Sequence, residues 1–151
     1  MKTLILITVI FLLQSFSSIG SPIDKGLICK CIETEQLKSC PFIYDVEGFL
    51  FTDNDMTLSY FERVKDSIKI TKSNSLKYST TDNKIFWSTV DYFILHYELN
   101  RKSLILEGKN SYYTIISECV IYSKQDYLNE IEKLKNKFQT DYNLKRKKNK
   151  I

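Results

Sequence analysis

Residues 92–106, with the sequence YFILHYELNRKSLIL, decide the fold class. Alternate side chains of this segment form one apolar set, which comprises Phe93, Leu95, Tyr97 and Leu99. This period of two predicts a strand with one buried face. The polar triplet at 100–102 supplies turn residues before a second apolar run that follows Ser103. An antiparallel hairpin is therefore predicted.

Short segments of the same kind recur along residues 26–122, separated by clusters of Asp, Asn, Ser and Thr. Such regular spacing is typical of an antiparallel sheet or barrel. The predicted strands are residues 26–32, 48–52, 57–62, 67–71, 76–79, 84–87, 92–99, 104–107 and 112–122. On the last strand Cys119 shares a face with Ile115 and Ile121, so its side chain is expected to point inward.

The period of the apolar residues changes after Ser123. Steps of four and three now separate Tyr127, Ile131, Leu134, Phe138 and Tyr142. This spacing predicts a helix over residues 123–142. Ser123 with an acidic residue three positions later, Asp126, is typical of a helix start. The helix is expected to lie over the sheet, and a helix that binds a partner is the alternative.

Together these elements predict a mainly β protein with a C-terminal helix, an α+β fold. The sheet is expected to be an antiparallel meander or a small open barrel covered by the helix. The length of 151 residues predicts a single globular unit. We expect a signal peptide at residues 1–20, an antiparallel β domain at 21–122, the helix at 123–142 and a basic disordered tail at 143–151.

The first twenty residues have the three parts of a secretory signal peptide. A positive start at Lys2 precedes an apolar run at 4–13, and small polar residues follow it. Cleavage is predicted after Gly20, with Ser17 as the alternative position. The apolar run is too short to cross a membrane, and no later segment is apolar for long enough. We therefore expect an exported protein, periplasmic or extracellular.

Four cysteines follow this segment: Cys29, Cys31, Cys40 and Cys119. In an oxidising compartment they predict two disulfides, for which three pairings exist. Cys29 and Cys31 share one face of the first strand, and neighbours on one face do not readily bond each other. One of them should then bond to Cys40 across a local loop and the other to the distant Cys119; of the two pairings that remain, we predict Cys31–Cys40 and Cys29–Cys119. A metal site at Cys29 and Cys31 is the alternative, although zinc sites usually show another spacing and four ligands.

The net charge of +4 is concentrated at the C-terminus. The basic residues of the C-terminal segment are Lys145, Arg146, Lys147, Lys148 and Lys150. Because the rest of the exported chain is nearly neutral, no basic groove for nucleic acid is expected. The basic run is interpreted as a solvated end, with weak contact to an anionic surface as the alternative.

No residue is assigned to catalysis, to a cofactor or to a metal ion. His96 is the single histidine and lies in a strand without a recognisable nucleophile motif. The acidic residues Asp45, Glu47, Asp53 and Asp55 do not fit a calcium loop, and residues 53–55 are better explained as a turn. Several aromatic residues suit either a core or the lining of a ligand cavity, with core packing favoured: Tyr60, Phe61, Tyr78, Phe86, Trp87, Tyr92 and Tyr97.

Three short elements carry a resemblance: Leu27-Ile28-Cys29, Asn100-Arg101-Lys102-Ser103-Leu104 and the late Cys119. With the signal peptide, and with a Lys-rich composition that lacks Ala, the layout resembles small exported uncharacterised proteins of AT-rich marine alphaproteobacteria. An invertebrate secreted protein is the alternative source. The resemblance implies export and a small β domain, and it implies no activity.

The function expected from the sequence is that of a non-enzymatic domain which binds a small ligand or another protein. A small secreted hydrolase that uses His96 is one alternative. The other is a protein that binds an anionic surface through its basic tail.

Overall fold

A computed structural model describes residues 21–41, 44–89 and 94–148, so the predicted signal peptide and Lys150 lie outside the described residues. Within these ranges the chain forms nine strands followed by one helix. The strands are β1 (Lys25–Glu35), β2 (Val46–Phe51), β3 (Asp55–Val64), β4 (Ser67–Lys72), β5 (Leu76–Thr80), β6 (Lys84–Ser88), β7 (His96–Asn100), β8 (Ile105–Lys109) and β9 (Thr114–Ser123). The helix is α1 (Lys124–Lys148).

Eight of the strands close into an antiparallel barrel in the order β2-β1-β9-β8-β7-β6-β5-β3, and β2 pairs with β3 to complete the ring. In the described part of the chain β4 pairs with β3 alone. The predicted fold class, mainly β with one C-terminal helix, is confirmed. The sequence left open a meander or an open barrel, and the structure shows a closed one because β3 pairs with both β2 and β5.

All nine predicted strands overlap strands of the structure. Apolar side chains alternate along each strand because one face is buried, and this alternation allowed the strands to be located from the sequence. The observed strands often extend a few residues further; β2, for example, begins at Val46 instead of 48. The strand predicted at 92–99 begins at His96 in the structure, and its residues 92 and 93 lie outside the described ranges.

The interior core fills the barrel. Phe49 of β2 packs against the rings of Trp87 in β6 and Tyr97 in β7, at centroid distances of 4.9 and 5.6 Å. Because β2 is not a neighbour of β6 or β7 in the sheet, these side chains meet across the inside. An eight-stranded barrel is just wide enough for side chains to fill it.

The helix core lies between α1 and the outer face of the barrel wall. Its buried side chains are Ile28, Val46, Phe61, Ile68, Tyr127, Ile131 and Phe138. The apolar helix face predicted from the sequence is therefore the face that packs on the sheet. Ser123 begins the helix as predicted, since its Oγ accepts a hydrogen bond from the N–H of Asp126 at 3.1 Å.

Two glycines let the helix come close to the wall. A Cβ atom at Gly26 would overlap the Cβ and Cγ atoms of Tyr127. At Gly48 it would lie 2.6 Å from the Tyr127 hydroxyl and 2.8 Å from Cδ1 of Ile131. Tyr127 is 1% exposed, and its hydroxyl bonds to Ser59 at 3.1 Å. The burial of this large side chain thus depends on glycine at one position in β1 and at one position in β2, where a side chain would occupy the same space.

Helix α1 continues to Lys148, which corrects the predicted start of a disordered tail at 143. Arg146 forms an ion pair with Asp66, and basic residues in the last turn interact favourably with the helix dipole. The amide of Gln139 accepts from the N–H of Ile68 at 2.8 Å and donates to the carbonyl of Asp66 at 3.0 Å. These contacts hold the helix end against β4. In the described ranges, no helix is long and apolar enough to cross a membrane.

Both predicted disulfides are present. Cys29 and Cys119 face each other across β1 and β9 with a Cα–Cα distance of 4.0 Å. Cys31 bonds to Cys40 in the segment after β1, at a Cα–Cα distance of 6.2 Å. All four thiols are therefore used, and the alternative metal site at Cys29 and Cys31 is wrong.

Candidate functional site

A groove of about 670 Å³ lies over β5, β6 and β7. Its volume is in the range of small-molecule sites, which are mostly apolar with a few polar groups. The groove is lined by Ser75, Leu76, Lys77, Tyr78, Ser79, Phe86, Trp87, Ser88, His96 and Tyr97. Four of these residues are aromatic, and two side chains that can carry positive charge, Lys77 and His96, lie beside them.

Trp87 and Tyr97 connect the groove with the interior of the barrel. They line the groove, yet they are only 4% and 3% exposed. Their rings stack at a centroid distance of 5.3 Å and an interplanar angle of 15°. Gly108, which pairs with Tyr97 across β7 and β8, leaves room for the Tyr97 ring. The strand geometry thus fixes both rings just behind the groove.

Glu47 is a buried carboxyl group inside the barrel. It is 2% exposed, and its Oε1 accepts a hydrogen bond from the Tyr97 hydroxyl at 2.9 Å. Burial raises the pKa of Glu47 to about 8, against the opposing effect of this hydrogen bond. Burial also raises the pKa of Tyr97, and the neighbouring Glu47 raises it further. At neutral pH the side chain of Glu47 is therefore mainly the uncharged acid.

Two buried polar atoms in this region have no hydrogen-bond partner among the described residues. They are Oε2 of Glu47 and Nε1 of Trp87. Buried polar groups are nearly always paired, and an unpaired one costs roughly 1–3 kcal/mol. Buried groups with a perturbed pKa beside a cleft are candidates for a functional site. We call Glu47, Trp87 and Tyr97 the interior polar cluster.

The groove also contains a serine–histidine pair. Oγ of Ser88 and Nδ1 of His96 are 2.8 Å apart, because the two residues face each other across β6 and β7. In the part of the chain that the structure describes, no carboxylate bonds to the His96 ring. A triad-like mechanism needs a third group that orients the base, so this pair is an incomplete catalytic arrangement.

The acidic residues singled out in the sequence do not form one site. Glu47 lies inside the barrel, whereas Asp55 is at the start of β3, where it forms an ion pair with Lys77 at 2.5 Å. Thr52 bonds to the carbonyl of Asp55 through its hydroxyl, as expected of the predicted turn at 53–55. Among the described residues, no group of three or more His, Cys, Asp or Glu side chains is arranged to hold a metal ion.

Lys145, one of the basic residues of the C-terminus, borders a second cleft, of about 420 Å³. It is lined by Tyr44, Arg63, Asp141, Tyr142 and Lys145. Both Arg63 and Arg146 lie 5.7 Å from the centre of the Tyr142 ring. Residues 143–148 are helical and therefore do not belong to a disordered tail. Contact of the basic residues with an anionic surface stays a prediction.

The predicted aromatic residues divide between several environments. Tyr78, Phe86, Trp87 and Tyr97 line the groove, Tyr60 packs beside the interior core, and Phe61 belongs to the helix core. Tyr92 lies outside the described residues.

Sequence reasoning missed the burial of Glu47 and the partner of His96. Alternation provided a signal for the first, because Glu47 is on the same face of β2 as Phe49 and Phe51.

Comparison with protein-family models finds no match, and comparisons with curated proteins and with solved structures also find none. The resemblance to small exported proteins of marine alphaproteobacteria therefore stays a prediction.

Proposed function

We propose that this chain is an exported, non-enzymatic β-barrel domain that binds a small ligand in the groove over β5, β6 and β7. One observation carries the proposal: a groove of ligand size has two partly exposed aromatic residues in its lining, Tyr78 and Phe86, and its wall holds the buried rings of Trp87 and Tyr97, beside polar atoms that have no partner among the described residues. The aromatic surface suits an apolar, ring-containing body. Lys77 lies at the side of the groove in an ion pair with Asp55, and a ligand with negative charge would share its ammonium group with that carboxylate.

The two disulfides support export, because such bonds persist in oxidising compartments outside the cytosol. Intact-mass measurement of the secreted protein tests this part of the proposal. We expect a chain that begins at Ser21 and lacks four thiol protons relative to the reduced mass. A full-length cytosolic chain with four free thiols would contradict export.

Binding is testable because Trp87 is the only tryptophan in the chain and lines the groove. The probe is 1-anilinonaphthalene-8-sulfonate, which has an aromatic body and one negative charge. We expect saturable energy transfer from Trp87 to the bound dye, and weaker binding in Phe86→Ala. The control is Val120→Ala, an exposed position on β9 outside the groove. Equal dye binding by Phe86→Ala and the native protein would overturn the site.

The serine–histidine pair favours a second candidate function, a small hydrolase. In that reaction the Ser88 hydroxyl would attack an ester carbonyl and pass its proton to Nδ1 of His96, which would protonate the leaving alcohol; water would then cleave the acylated Ser88 and release the acid. Turnover of p-nitrophenyl acetate should then disappear in His96→Ala and in Ser88→Ala, but not in Ser67→Ala on β4. If all four proteins hydrolyse the ester at the same slow rate, the binding function stands.

A further inference from the structure

The wall of the barrel has a short junction at β5. This strand pairs with β3 at two positions only, Asp55 with Lys77 and Met56 with Leu76. On its other side it pairs with β6 through Tyr78, Ser79 and Thr80. Segments with few ladder hydrogen bonds open at a lower free energy than long, fully paired strands. The β3–β5 junction is therefore the part of the wall that opens most easily.

The groove borders this junction from the side of β5, since its lining includes residues of β5 and none of β3. Leu76 and Lys77, which form the junction with β3, both belong to its lining. Trp87 and Tyr97 belong to the same lining and carry the interior polar cluster behind it. Glu47 is not part of this lining, and its link to the groove is the hydrogen bond that it accepts from Tyr97.

Both unpartnered atoms of the cluster are hydrogen-bond donors at neutral pH. Nε1 of Trp87 is a donor in every state. Oε1 of Glu47 already accepts from Tyr97, and burial keeps the acid uncharged, so Oε2 carries the proton. Two buried donors with no acceptor among the described residues match a guest that supplies an acceptor.

We propose that Glu47 and Trp87 form a subsite for a carbonyl oxygen of the ligand, whose apolar ring body lies in the groove and whose carbonyl passes the β3–β5 junction. The inference rests on the proposed binding function and specifies the class of ligand. The donors are held by the barrel before the ligand arrives, so little ordering is needed on binding.

A matched pair of probes tests this subsite. 2-Acetylnaphthalene and 2-ethylnaphthalene share one ring system, and only the first has a carbonyl. Equilibrium dialysis of the native protein should show tighter binding of the ketone. Trp87→Phe keeps an aromatic ring and removes the N–H, and we expect it to reduce the preference about five- to tenfold. Glu47→Leu should reduce it similarly.

Binding of the hydrocarbon probe distinguishes a binding role from a structural one. The smaller ring of Trp87→Phe leaves a cavity in the interior core, so this variant should unfold at a lower urea concentration, but its affinity for 2-ethylnaphthalene should stay near the native value while its preference for the ketone falls. Tyr112→Phe, at an exposed position outside the groove, is the control and should keep the native preference. A preference for the ketone that both Trp87→Phe and Glu47→Leu retain would overturn the subsite.

The failure of the subsite and the failure of the proposed function give different results. If the native protein binds both naphthalenes equally, the proposed carbonyl subsite is wrong, but the proposal that the groove binds a ligand is retained. If it binds neither naphthalene nor the charged dye, the binding function itself is wrong. The path through the wall has its own test: backbone amides of β5 should exchange with deuterium faster than those of β1 and β9, and equal rates would contradict it.

Discussion

The interior core and the helix core pack on opposite faces of one barrel wall, but they differ in whether their buried polar atoms have hydrogen-bond partners. In the helix core the hydroxyl of Tyr127 bonds to Ser59. In the interior core Glu47 and Trp87 each keep a buried polar atom without a partner among the described residues. The helix core thus satisfies this buried hydroxyl, whereas the interior core gives up stability at two polar atoms near the groove in which we propose that a ligand binds.

The two cores also differ in how the chain holds them together. Both disulfides involve cysteines of the interior core, while the helix core depends on close packing at Gly26 and Gly48. The following changes test this contrast.

The largest effect is expected from the long disulfide. Cys29→Ala with Cys119→Ala opens a link between residues 90 positions apart, and the chain-entropy relation gives a loss of about 4.6 kcal/mol. The matched control is Cys31→Ala with Cys40→Ala, which spans 9 positions and should cost about 2.7 kcal/mol. Urea unfolding measures both. A larger loss from the short link would contradict the prediction.

A pH series tests the cost of the buried acid. The pKa of Glu47 rises from 4.5 to about 8 on folding, so its stability contribution is complete below pH 4.5 and is lost as pH rises to about 8. At about 1.4 kcal/mol per pKa unit, the loss is on the order of 5 kcal/mol. Tyr97 and Tyr113, whose charges interact with Glu47, have raised pKa values and stay neutral at pH 8.

Glu47→Gln removes this titration while keeping the size of the side chain. The free energy of unfolding of the native protein should fall relative to that of Glu47→Gln between pH 5 and pH 9. Urea unfolding at both pH values measures the difference. Parallel pH curves for the two proteins would show that Glu47 is charged in the folded state.

The sequence predicted the fold better than the site, for a physical reason. Alternation is local, so it located the strands and put Cys29 and Cys31 on one face, which excluded a bond between these two cysteines; the choice between the two remaining pairings was correct. The contact between Glu47 and Tyr97 exists only because the barrel closes and brings β2 opposite β7. The predicted second strand also began at Gly48, which left Glu47 outside the alternating pattern.

Packing in the helix core should be sensitive to small additions. Gly26→Ala places a methyl group on the ring base of Tyr127, and we expect a loss of about 2 kcal/mol from overpacking. Gly48→Ala meets the outer ends of Tyr127 and Ile131, which move more easily, and should cost less. Thermal unfolding compares the two proteins. Equal stability of Gly26→Ala and the native chain would show that the helix shifts without penalty.

The smallest effect concerns a single hydrogen bond. Tyr127→Phe leaves Oγ of the buried Ser59 without this partner, and a loss of about 1 kcal/mol is expected. Tyr127→Phe with Ser59→Ala removes both groups and should recover part of that loss. Urea unfolding of the single and double variants measures the coupling, and no recovery would indicate that the two hydroxyls act independently.

Strand β4 leaves the ring of the barrel, and the side chain of Gln139 bonds to its outer edge. One amide group there reproduces what a peptide unit of an adjoining strand would provide, an acceptor for Ile68 and a donor for Asp66. A second molecule that approached this edge would first have to displace Gln139. The C-terminal half of the helix therefore occupies part of the edge at which another strand could add to the sheet, and exposed strand edges of this kind are where protein chains associate.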